Sequence, residues 1–228
     1  MKIFLPLLLL AGLATSAHGQ DEGDVSPKQG RIGISVKAGP AFPLVDFSDL
    51  FTTGFTGFVD VPYNLTEDLQ VYLGLGFSHF TLDNAKLTNH LKELGENTTA
   101  NIDAPYQLIP LVLGLNYSYR YPHLWPYFTM SLGMYFQKLE TSGSLTTNGV
   151  TTPVVSNTQT WSQDAFAVGI GSLIPIGNEG WAIDVNAKYN TVVDYKGRVL
   201  ITTTGGSNIG SRAIRYVNLL GGLSYTFR

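Results

Sequence analysis

The chain has 228 residues, a formal net charge of −3, only 14% charged residues and no cysteine. That length fits one domain or two small ones. The missing thiols exclude disulfides, thiolate metal sites and a cysteine nucleophile, and no basic cluster offers a footprint for nucleic acid. Charge is low against the usual ~25%. With 25 glycines, 12 tyrosines and 12 phenylalanines but no long apolar run, the composition fits a chain made for an unusual solvent.

The first stretch, "MKIFLPLLLLAGLATSAHGQ", has the build of a secretory leader. Lys2 is the positive end, residues 3–14 the apolar core, and Ala17-x-Gly19 the small-residue cleavage site. The core is too short to cross a bilayer as a helix. Residues 1–19 are therefore expected to be a removed signal peptide, and no cysteine follows the cut to carry a lipid. Residues 20–30, "QDEGDVSPKQG", form a polar lead expected to be flexible and periplasmic, and the remaining 31–228 form one unit.

Eight period-two segments come next, at roughly 31–42, 53–62, 69–82, 106–119, 127–140, 163–174, 181–193 and 213–227. Each has the ~9–11 residues that a tilted strand needs to cross a bilayer. In "WAIDVNAKYNT" one face carries Trp181, Ile183, Val185, Ala187, Tyr189 and Thr191; the other carries Ala182, Asp184, Asn186, Lys188 and Asn190. No helical period fits. The connections "YNLTED", "RYPHLWP" and "PIGNEG" are tight. Those between them, such as "DNAKLTNHLKELGENTTANIDA" and "TSGSLTTNGVTTPVVSNTQTW", are long and polar, and only "PLVDFSDLF" is short on that side. Leu87, Leu91 and Leu94 have helical spacing before Gly95, so a short helix is expected there. An even strand number with short turns at one end and long loops at the other is how an outer-membrane barrel is built.

A soluble barrel alternates too, so charges and aromatics must tell the faces apart. With the N-terminus on the short-turn side, Tyr63, Tyr117, Tyr119, Phe128, Trp181, Tyr225 and Phe227 gather on the apolar face near the short turns. Phe42, Phe55, Phe77, Phe136, Phe166 and Tyr189 gather near the long loops, with aliphatic residues between. Two aromatic girdles around an aliphatic band mark a lipid-facing wall. The exceptions on that face, His79, Lys138, Asp164 and Arg215, fall near the long-loop rim. The opposite face is small and polar, with Ser35, Gln70, Tyr72, Thr129, Ser131, Gln137, Asn218 and Ser224, and is expected to look inward. The expected fold is all-β: an eight-stranded antiparallel up-and-down transmembrane β-barrel.

The chain ends "YVNLLGGLSYTFR", which sets Leu219, Leu223, Tyr225 and Phe227 on one face. Closure requires this strand to pair with the first, because an open edge cannot exist in hydrocarbon. The same residues resemble the C-terminal signal by which outer-membrane barrels are recognised by their insertion machinery, with Arg228 one residue past the usual terminal aromatic. From leader to terminus the chain resembles the small eight-stranded outer-membrane barrels of the OmpA/OmpX type. More narrowly, it resembles the outer membrane protein β-barrel domain families of Gram-negative bacteria. "YQLIPLVLGLNYSYR" is similar to their fourth-strand pattern, and "GISVKAGPAFP" to their glycine-rich first strand. The resemblance covers about residues 30–228 and is one of pattern. It implies a place in the cell outer membrane, contact with its lipids and lipopolysaccharide, and assembly by the barrel machinery. It implies no common enzyme activity.

Inward Lys37, Asp60, Asp184 and Lys188 form a candidate lumen charge network. It reads as an ion-pair gate over a narrow water path or as a plug of paired buried charges. The plug is favoured, since side chains just fill an eight-stranded barrel. Ser78-His79 is the only nearby nucleophile–base pair, and neighbouring strand residues point to opposite faces. His90 and His123 lie in a loop and a turn, and no metal-ligand spacing appears. No catalytic residue, metal or cofactor is expected. The function expected is a structural or surface-interaction role presenting long extracellular loops, whose ligand the sequence does not name. A narrow porin-like channel stands second and a lipid-modifying enzyme third.

Overall fold

Alternating stretches become strands because one face fills a lumen while the other meets a solvent that accepts apolar side chains. The computed structural model describes residues 29–93, 98–119, 121, 123–177, 180–202 and 208–227, without the side chains of 155 and 194–213. The expected leader, most of the lead, Leu94 and Arg228 lie outside these residues. The strands are β1 (Gly33–Leu44), β2 (Gly54–Asn64), β3 (Leu69–Phe80), β4 (Thr98–Asp103), β5 (Tyr106–Ser118), β6 (Trp125–Thr147), β7 (Val150–Ile176), β8 (Trp181–Thr202) and β9 (Asn208–Thr226). Helix α1 spans Asn84–Glu93, and a 3-10 turn spans Val45–Phe47.

The ladder runs β1-β2-β3-β5-β6-β7-β8-β9 and returns to β1, antiparallel at every step. Eight strands thus close a transmembrane barrel, and β4 stands outside the ring against the upper part of β6. At the seam, β9 pairs with β1 from Gly33↔Thr226 to Leu44↔Arg215, and Phe227 N–H donates to the Ile32 carbonyl at 2.9 Å. No edge is left to hydrocarbon. Every aromatic of the two expected girdles lies on the outer wall, from Tyr119 at 62% exposure to the half-buried Tyr63, Tyr189 and Tyr225. Val36, Leu75, Leu111, Leu132, Ile170 and Leu223 are exposed between them.

The long connections depart from expectation. The stretch 141–161, expected as a polar loop, is strand: β6 runs to Thr147 and β7 starts at Val150. Asn148 (φ 51°) and Gly149 (φ 82°) alone turn the chain. A two-residue type I′ hairpin needs positive φ at both positions, and Asn-Gly supplies it at little cost. The seventh connection is corrected likewise, since β8 continues to Thr202 and β9 resumes at Asn208, with register shifts between Val193/Arg198 and Val199/Ile201. The third connection holds the expected helix and also β4, which the sequence reading lacked.

Candidate functional site

The lumen fills in layers that follow from strand parity. Nearest the short turns, Asn116 Nδ2 donates to Gln70 Oε1 at 2.8 Å, and Gln70 Nε2 to Asn64 Oδ1 at 2.9 Å. Above them stand Lys37 of β1, Asp60 of β2 and Asp184 of β8, each 4% exposed or less. Lys37 Nζ lies 2.7 Å from Asp60 Oδ2 and 3.0 Å from Asp184 Oδ2. Register explains the second contact: Gly222 of β9 is opposite both Lys37 and Asp184, so nothing stands between them across that strand. A Cβ at Gly222 would sit 1.9 Å from the Val36 carbonyl oxygen. Asp184 also accepts from Tyr127 Oη at 2.6 Å, Ser35 Oγ at 3.3 Å and Asn186 Nδ2 at 3.4 Å. A buried charge cluster needs this density of partners to offset desolvation.

Lys188, the fourth expected member, is not in this cluster. It lies four residues beyond Asp184 on the same strand, which is ~13 Å at ~3.3 Å per residue. Its Nζ sits 4.9 Å from the Tyr72 ring centroid and 5.5 Å from that of Phe58, and it donates to Tyr72 Oη at 3.2 Å. Among the described residues no carboxylate lies within 4.0 Å of it. The structure therefore separates three paired charges from one cation held by rings. These large side chains fit because inward glycines face them: a Cβ at Gly114 would lie 2.2 Å from Tyr72, and one at Gly171 2.4 Å from Tyr127.

Higher still, Thr56 Oγ1 donates to Ser78 Oγ at 2.8 Å and Tyr135 Oη to Asn190 Oδ1 at 3.1 Å. The inner face is expected to be small and polar, but Phe58, Leu108, Val112 and Leu220 are also buried in it. The mouth is apolar. At Val45 the chain takes φ 53°, and Ser48 bonds back to the Val45 carbonyl through its N–H (2.9 Å) and Oγ (2.6 Å). This bend drops Phe47 among Phe51, Phe80 and Tyr106, with ring centroids at 4.7, 4.9 and 5.8 Å.

Helix α1 covers that cluster with Leu87 and Leu91, both fully buried. Asp83 Oδ1 caps its first turn at the Ala85 and Lys86 amides, at 3.0 and 3.2 Å. Lys86 Nζ donates to the carbonyls of Ser48 and Phe51 at 2.9 and 3.3 Å, which ties helix to loop. Asn84 Oδ1 and Thr88 Oγ1 accept from the Ile102 and Ala100 amides at 2.8 and 3.1 Å, which ties helix to β4. The far side of the β4-β6-β7 sheet carries the rung Thr99–Thr146–Thr151, with the latter hydroxyls 3.0 Å apart. Sequence reasoning missed this mouth. Its one signal was Phe47, Leu50 and Phe51 at i, i+3 and i+4 in a connection treated as a plain loop.

The remaining candidates stay apart. Ser78 is fully buried in the lumen, whereas His79 is on the outer wall, 6.4 Å from the Phe77 ring. Lys138 pairs with Glu140, and His90 lies on α1, 3.9 Å from Glu93. On the closing strand Leu219, Leu223 and Phe227 are exposed outward, with Tyr225 packed between Trp181 (4.7 Å) and Phe227 (5.2 Å).

No family model and no curated protein matches the chain. Similar solved structures include neisserial surface protein A, at 13% identity over 86% of this chain and 97% of that one, TM-score 0.47. A major outer membrane protein from Thermus thermophilus is 15% identical over 86% and 99%, TM-score 0.49. The outer membrane protein OprG from Pseudomonas aeruginosa is 11% identical over 90% and 100%, TM-score 0.49. The likeness is one of fold, and the eight-strand closure is read from the ladder itself.

Proposed function

We propose that the chain is an integral outer-membrane barrel of a Gram-negative bacterium, with its short turns in the periplasm, that serves a structural or surface-interaction role. The observation that carries this reading is the pairing of a filled lumen with a folded platform of α1, β4 and the upper β6-β7 hairpin at the long-loop end. The cleft beside Lys37, Asp60 and Asp184 measures about 10 Å³, room for roughly one water. That argues against a conducting path. A lipid-modifying activity finds no support at Ser78 and His79, which face opposite sides of the wall. In this reading lipids and lipopolysaccharide surround the girdles, and the assembly machinery engages the strand ending in Phe227.

Two measurements test it. Wild-type protein in planar bilayers should pass little or no current; steady, large unitary currents would replace this reading with the pore. Cells carrying a variant in which residues 143–158 are replaced by a tight turn should retain the heat-modifiable barrel. They should lose surface adhesion or auto-aggregation that wild-type cells show, and unchanged adhesion would remove the platform from the role.

A further inference from the structure

The wall of a barrel is convex, yet the outer face here is hollowed where β5 to β9 run beside the short turns. The hollow is a shallow depression of about 910 Å³, open on its outer side. Register makes it: Pro126, Ser172, Val185 and Gly221 lie side by side on successive strands, and Ala187 stands beside them between Ile170 and Leu219. Small side chains on neighbouring strands lower the floor. Tyr117, Tyr119 and Phe128, all at least 50% exposed, raise one bank. A Cβ built at Gly221 meets nothing within 4 Å, whereas one at neighbouring Gly222 would strike backbone. Among the described residues the lining holds no charged one.

We propose that this hollow holds one acyl chain of a glycerophospholipid from the short-turn leaflet as a retained, slowly exchanging lipid. Three features favour that occupant. The hollow is continuous with the lipid-facing aliphatic band and bounded by the aromatic girdle near the short turns. Its outward side chains are apolar apart from Ser172, Tyr117 and Tyr119, since Tyr127 and Asn186 point into the lumen, and this suits a chain better than a headgroup. Its described lining gives a phosphate no charge to bind, so retention should follow the chain and ignore the headgroup. The choice of phospholipid over lipopolysaccharide rests on the orientation proposed for the barrel; the hollow itself depends only on the barrel spanning a bilayer.

The test is native mass spectrometry of protein extracted from membranes in mild detergent. Wild type, Gly221→Leu, Ala187→Phe and a control, Leu75→Phe on the opposite wall, are compared. All three variants add only apolar bulk to a lipid-facing site, and heat-modifiable mobility verifies that each folds. Wild type and control should retain one phospholipid, as phosphatidylethanolamine or phosphatidylglycerol alike, and the filled variants should lose it by tenfold or more. Equal retention in filled variants overturns the site. Retained lipopolysaccharide overturns the choice of lipid and, separately, the orientation. A dimer present in wild type and lost in the filled variants hands the hollow to a second copy of the chain and overturns the proposal as well.

Discussion

Around Lys37 the barrel is filled by strand residues, and the filling is polar: an ammonium between two carboxylates, with Ser35, Tyr127 and Asn186 donating to Asp184. Around Phe47 a loop and a helix close over the strand ends Phe80 and Tyr106, and the filling is apolar, with Phe51, Leu87 and Leu91 in the same buried cluster. The lower closure is fixed by the ladder, since its three charges come from β1, β2 and β8 and cannot part without breaking the wall. The upper one hangs on a bent backbone at Val45 and on side-chain ties from Lys86, Asn84 and Thr88. One barrel therefore joins a rigid electrostatic layer to a separable hydrophobic lid, and the two should fail differently.

The largest effect is expected at the rigid layer. Lys37→Met leaves Asp60 and Asp184 buried, close together and without their cation. Breaking a buried cluster from one side costs ~3–5 kcal/mol. Denaturant unfolding in lipid vesicles should show one cooperative transition moved down by about that much. An unmoved midpoint would mean that the two carboxylates are compensated independently of Lys37.

At the mouth, Phe47→Ala removes a ring from an aromatic cluster, a change that costs ~3–5 kcal/mol in a core. Here the loss should stay local, because lids open as units below the global stability of the fold. Hydrogen exchange should speed up at the α1 and β4 amides while strands β1 and β9 keep their protection. Loss of protection around the whole barrel would erase the distinction between the two closures.

A smaller effect comes from the fit of the lumen. Gly114→Leu puts branched carbon where Tyr72 lies, since even a Cβ would come within 2.2 Å of the ring. Overpacking of this kind costs ~1–3 kcal/mol. Tyr72→Ala in the same chain should recover most of the loss, measured as heat-modifiable mobility after refolding. Failure to recover would place the strain elsewhere than at that contact.

How much of this the sequence displays depends on the range of the signal. Face is a local property: Trp181, Ile183 and Val185 alternate with Ala182, Asp184 and Asn186 in any register, so the outer wall and lumen could be read directly. Height around the ring is not local. Whether Lys188 meets Asp60 depends on the stagger summed over strands between them, and no single stretch carries that sum. The hairpin at Asn148-Gly149 was legible, as Asn-Gly between alternating threonines and valines, but the polar composition of 141–161 outweighed it. For the mouth, the helical spacing of Leu87 and Leu91 showed a helix, while its partners, Phe47 and Phe51, lay in another connection.

The smallest effect is expected at Lys188, and it decides whether the inward charges act together. Its ammonium rests on Tyr72 and Phe58 and donates to the Tyr72 hydroxyl, which is in turn 3.1 Å from Thr129 Oγ1. Ring contacts of a cation contribute ~0.5–2 kcal/mol. Lys188→Met gives those up, along with one hydrogen bond. It also relieves the desolvation of a buried charge, and the thioether can still pack on both rings. The two changes oppose, so the unfolding midpoint should move by ~1 kcal/mol or less, well short of the Lys37→Met effect. The double variant should be additive, as sites without shared partners are. A loss at Lys188→Met as large as at Lys37→Met, or strong coupling between them, would return all four charges to one network and make Tyr72 the bridge that carries it.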